Sequence, residues 1–128
     1  MSEYKWWFEQ ASKDLRKAEN AISTEDYDAA AFWSHQAAEK ALKALLLSRG
    51  YPARGHSLIE LARRVREELD IAVEPILDDL RELNPHYIIS RYPNAANAPP
   101  YQLYTRDKAL ELLSRARRVL EWVKQYLQ

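Results

Sequence analysis

Arg91 stands between two tyrosines, Tyr87 and Tyr92, with Pro93 directly after the second. A guanidinium is a planar fork that matches phosphate, and a phenol ring beside it offers a face on which a base stacks. In an ordered segment this set suits a nucleotide or RNA. The competing role is a structural clamp, with Arg91 paired to a helix carboxylate and the tyrosines filling gaps. A loop that must stay ordered needs such anchoring, which favours the clamp. His56 precedes Ser57, and a residue there is explained by packing beside Leu61 as a hydrophobic staple, ahead of any ligand role. His35, one turn before Glu39, reads as a satisfied core or interface histidine.

Other chemistries find little support. The three histidines show no ligand spacing, cysteine is absent and the carboxylates are spread along the chain. No metal or cofactor is therefore expected. No glycine-rich loop is present to cradle phosphate, and no Ser/His/Asp arrangement has support.

The elements that must position these residues are helices. Tyr4, Trp7, Phe8, Ala11, Leu15, Ala18 and Ile22 recur at steps of three and four, which predicts a first helix from about Glu3 to Ile22. Thr24 suits an N-cap, with Glu25 and Asp26 in the first turn of a second helix that runs to Arg49 and ends at Gly50. The many alanines of this helix let neighbours approach closely, so it is expected to be central. A short turn makes the first two helices an antiparallel hairpin. Ser57 and Glu60 form a capping box ahead of Leu58, Leu61, Val65 and Leu69. Pro75 opens a fourth helix and Pro85 ends it. Pro85 to Tyr104 shows no helical periodicity and is expected to be an ordered loop pinned by Tyr87, Tyr92, Tyr101 and Tyr104. Thr105 caps the last helix, whose stripe is Ala109, Leu112, Leu113, Ala116, Leu120, Val123 and Leu127. Trp6 and Trp33 lie off or at the edge of their stripes, as aromatics at an interface do.

The balance of residues agrees. The chain has 128 residues with 47% hydrophobic and 30% charged, enough to bury a core as one domain over residues 1–128. Two glycines are too few for the turns of an all-β fold. Nineteen basic and nineteen acidic residues argue against bulk electrostatic coating of nucleic acid, though not against a local basic site. The arginine groups 63, 64, 66 and 115, 117, 118 are interleaved with glutamates and read as solvated faces. Met1 to Gln10 lacks the apolar stretch of a secretory signal, and the apolar run Ala44 to Leu47 is far short of a membrane span, so a cytoplasmic location is expected.

Four pieces in order resemble the HEPN domain family over nearly the whole chain. They are Trp7, Ala11, Asp14, Leu15 and Ala18; Asp26-Tyr27, then Phe32, then Gln36 to Lys43; His56-Ser57-Leu58 followed by Leu61; and Tyr87-Ile88 with Arg91-Tyr92-Pro93 ahead of Tyr104. The resemblance implies an all-α antiparallel bundle of four to five helices that dimerises. It also implies a nucleotidyltransferase partner, a toxin–antitoxin setting and nucleotide or RNA binding. One branch of the family consists of metal-independent ribonucleases, marked by an arginine and, after four to six residues, a histidine. Arg81 and His86 meet that spacing, and so do Arg49 and His56. In such a pair the histidine moves a proton and the arginine stabilises the phosphorane. The branch has a tyrosine two residues after its histidine, whereas here Tyr87 follows His86 directly and Pro85 breaks the helix between the pair.

The leading expectation is thus a dimeric interaction module with Arg91, Tyr92, Tyr87, His56 and Arg49 as nucleotide- or RNA-binding residues. The alternative is a ribonuclease toxin with Arg81 and His86 as the catalytic pair.

Overall fold

The computed structural model describes residues 3–127 and is helical throughout, with no strand among the described residues. Helices α1 (Glu3–Ser23) and α2 (Tyr27–Ser48) form the expected hairpin. They are followed by α3 (Leu58–Leu69), α4 (Glu74–Leu83), the single turns α5 (His86–Ile89) and α6 (Pro93–Ala96), and α7 (Arg106–Lys124).

α2 is the central element. Ala30, Ala31, Ala37, Ala38, Ala41 and Ala44 are fully buried, and α1, α3 and α7 all pack on it. With only methyl groups between backbones, α1 and α7 sit close on two sides, and Leu42, Leu45 and Leu46 fill the centre of the core. This close packing also buries charge. Asp14 of α1 takes Lys40 as its partner, and Glu39 of α2 takes Lys43 at 2.9 Å. Asp79 of α4 accepts from Arg115 and Arg118 of α7, which fastens those two helices.

Helix ends follow sequence chemistry in three places. Ser57 Oγ accepts from the Glu60 amide, Thr105 Oγ1 accepts from the Lys108 amide, and Gly50 at φ +85° closes α2. At Gly50 the Tyr51 amide reaches the Leu46 carbonyl and the Gly50 amide reaches Leu47, a Schellman ending.

Two expectations are corrected. Thr24 does not cap α2, which starts at Tyr27 with Asp26 in the cap position. Glu25 instead takes φ +63° and ends α1, with the Asp26 amide on the Ala21 carbonyl at 2.8 Å. Thr24 bonds backward to the Asn20 and Ala21 carbonyls, so it terminates one helix rather than starting the next. The segment from Pro85 to Tyr104 is not a plain loop. It folds into α5, α6 and a 3-10 turn over Pro100–Gln102. Pro93 and Pro100 stand at the starts of turns, where a missing amide costs nothing, and elements of three or four residues are too short to show a period.

Candidate functional site

α2 and α5 bring the site together around Tyr87. The ring of His56, from the α2–α3 connection, stacks on Tyr87 at 4.1 Å between centres and 14° between planes. The Arg91 guanidinium lies 4.5 Å from the centre of the same ring, 4.8 Å from Phe32 and 4.7 Å from Tyr92. Its Nε donates to the Tyr87 carbonyl at 2.9 Å, which fixes the plane of the fork. Among the described residues Arg91 has no carboxylate partner. It is held by aromatic faces and one carbonyl, so its charge is left to the outside. This corrects the clamp reading, in which Arg91 pairs with a helix carboxylate.

Beside Arg91 opens a cleft of about 370 Å³ lined by Asp28, Phe32, Trp33, Ser90, Arg91 and Tyr101. Trp33 meets Phe32 edge to face at 5.1 Å, and Tyr101 is 67% exposed at the rim. The cleft thus combines a free cation, aromatic walls and one carboxylate. That combination suits a ligand with phosphate at one end and hydrogen-bond donors at the other.

Behind the rings lies a second group. His56 Nδ1 donates to Glu39 Oε1 at 3.0 Å, and Glu39 is only 3% exposed. His35 is buried, and its Nε2 donates to the His56 carbonyl at 3.1 Å. Burial holds the His35 pKa below its usual value, so the ring is neutral there. His56 therefore faces Glu39 and Tyr87, and the staple expected beside Leu61 is not needed to explain its position.

The remaining sequence candidates lie elsewhere. Arg81 pairs with Asp78 at 3.1 Å and lines the groove between α3 and α4. His86 turns toward Tyr104, whose hydroxyl is hydrogen-bonded to Nδ1 at 2.6 Å. Burial, aided by the Lys108 cation, pulls the His86 pKa down to about 4, and burial pushes Tyr104 up to about 12. Both groups are therefore neutral. No hydrogen bond or ion pair joins Arg81 to His86 among the described residues. Arg49 donates to the Tyr126 carbonyl at 2.8 Å, at the far end of α2. Of the seven candidates, His56, Tyr87, Arg91 and Tyr92 come together, while Arg49, Arg81 and His86 do not join them. Nothing in the sequence marks Asp28 as a site residue or Glu39 as the partner of His56. The only local signal for Glu39 is its place one turn after His35.

The chain is thus a helical hairpin wrapped by further helices, with His56, Tyr87 and Arg91 joined at its flank. The sequence profile of the HEPN domain family matches residues 4–126, and the chain belongs to that family. It is 29% identical over 133 residues to a protein of Methanocaldococcus jannaschii named Putative toxin MJ1304, covering 97% of this chain and 88% of the relative. The solved structure of TT1696 from Thermus thermophilus superposes with a TM-score of 0.92 at 39% identity, over 99% of this chain and all of the other. The archaeal HEPN homologue ST0689 gives 0.82 at 37% identity over the full length of both. A HEPN domain protein of Thermotoga maritima gives 0.75 at 26%, over 94% of this chain and 96% of the other.

Proposed function

We propose that this chain works as one HEPN unit of toxin type that binds a nucleotide or RNA at the Arg91 cluster. The observation that carries the reading is the Arg91 guanidinium, oriented by three rings and a carbonyl and left without a carboxylate partner among the described residues. A cation built this way is poised for an anion, and the Phe32 and Trp33 walls of the adjoining cleft suit a base. Likeness to a relative named as a toxin supports the setting. In that setting the chain dimerises in the cytoplasm and pairs with a nucleotidyltransferase partner, as its family resemblance implies.

The test is fluorescence anisotropy with a labelled dinucleotide, wild type beside Arg91→Ala. Binding by the wild type and a loss of about tenfold or more in the variant is expected, the scale of a charge-assisted phosphate contact. Equal affinity in the two proteins would remove Arg91 from the site. Co-expression with a nucleotidyltransferase from the same genome checks the partner, which should co-purify in a fixed ratio.

A further inference from the structure

One face of α1 is left uncovered and continues the Arg91 cleft. Trp6, Gln10, Lys13 and Lys17 recur at steps of four, three and four, so they share one side of the helix. Trp6 is 65% exposed, the most exposed tryptophan of the chain, so core packing does not explain it. On one side it forms a groove of about 200 Å³ with Trp7, Gln10 and Lys40. On the other it forms one of about 450 Å³ with Glu9, Gln10 and Lys13.

The link to the cleft is a chain of contacts. Arg91 lies against Phe32, Phe32 meets Trp33, and Lys17 sits over Trp33 at 4.2 Å. Lys40, which lines the Trp6 groove, lies 6.0 Å from the same Trp33 ring. Cations and large rings therefore follow one another from Arg91 through Phe32 and Trp33 to Lys17 and Lys40, and on to Trp6. The charge along this strip is positive on balance. Lys17 and Lys40 share the carboxylate Asp14, Lys13 has no ion-pair partner among the described residues, and with Arg91 these four cations stand against three acids, Asp14, Glu9 and the Asp28 of the cleft. From Trp6 to Lys17 the helix rises roughly 16 Å, further than one nucleotide reaches.

We propose that this strip is the track of a single-stranded RNA several nucleotides long, which enters at Arg91 and stacks a base on Trp6. Rings interspersed with cations are what a strand with exposed bases and a charged backbone requires, and no reading of base edges is needed. The proposal rests on phosphate binding at Arg91 and extends it from a mononucleotide to a strand.

The experiment measures anisotropy of labelled oligouridylates of two and eight nucleotides at several salt concentrations. The octamer should bind about tenfold or more tightly than the dinucleotide. Trp6→Ala should weaken the octamer about fivefold or more, the scale of one base–aromatic stack, and leave the dinucleotide unchanged. Lys13→Ala should weaken the octamer and flatten its salt dependence. Both residues are exposed, so the variants keep the fold. Dinucleotide binding with no gain in length would overturn the track and leave the Arg91 reading standing. No binding of either probe would overturn both. Octamer affinity untouched by Trp6→Ala, with the variant shifting from dimer to monomer in sedimentation, would make this face a contact between copies of the chain and overturn the track.

Discussion

Glu39 and His56 meet across 3.0 Å, a buried carboxylate on α2 accepting from the ring of a half-exposed histidine beyond its C-terminus. Glu39 is also the partner of Lys43, so a single side chain anchors the α2–α3 connection and neutralises a buried ammonium. Removing it leaves Lys43 without a counter-charge in a site nearly closed to water. We expect Glu39→Ala to lower stability by about 3 kcal/mol in urea unfolding, the scale of a broken buried pair. Glu39→Gln with Lys43→Met should recover much of that loss, because no charge is then stranded. A double variant as unstable as Glu39→Ala would show that the charges are not the cause.

Arg91 is held by ring faces on its flat sides. A lysine carries the same charge but has no plane to stack and no Nε to reach the Tyr87 carbonyl. Arg91→Lys is therefore expected to recover less than half of the binding free energy that Arg91→Ala loses in dinucleotide titrations. Full recovery by lysine would mean that charge alone matters there.

His86 links folding to pH. Its pKa is about 4 in the folded chain against an ordinary 6.5, chiefly because the ring is buried. Between those values the unfolded chain takes up a proton that the folded chain refuses. Stability contributed by the neutral ring is thus complete above about pH 6.5 and falls as the pH drops toward 4. His35, also lowered by burial, adds to the fall with the same sign. Melting temperatures at about pH 7.5 and about pH 5 should differ less in His86→Phe than in wild type. An equal difference in both would remove His86 from the linkage.

The Arg81 and His86 side chains have different partners, so we expect purified protein in EDTA to leave RNA intact. EDTA silences metal-dependent contaminants and spares chemistry that needs only histidine and arginine. Wild type, His86→Ala and His56→Ala run side by side make the result specific. Cleavage lost only in His86→Ala would move the assignment to the Arg-x4-His pair.

Much of the bundle is legible because its signals are local. Thr105, Ser57 and Gly50 act on amides and carbonyls within a few residues of themselves, and the alanines of α2 announce a helix that others must crowd. Thr24 misleads because a hydroxyl near a helix boundary serves either neighbour, and only the left-handed Glu25 decides which. Half of the site is legible for the same reason. Tyr87, Arg91 and Tyr92 are neighbours in sequence and stay neighbours in space. Phe32 and Asp28 arrive from α2, Glu39 reaches His56 across the α2–α3 connection, and no short-range pattern carries such contacts.

The Tyr87 ring has Arg91 and His56 both stacked against it. An aromatic ring shifts the magnetic resonance of protons above its plane, and the size of that shift depends on small changes in tilt. A ligand that draws Arg91 outward is expected to tilt the ring, so that the His56 protons register the motion without touching the ligand. The imidazole thus serves as a built-in spectroscopic gauge of occupancy, readable in a spectrum of the unlabelled protein.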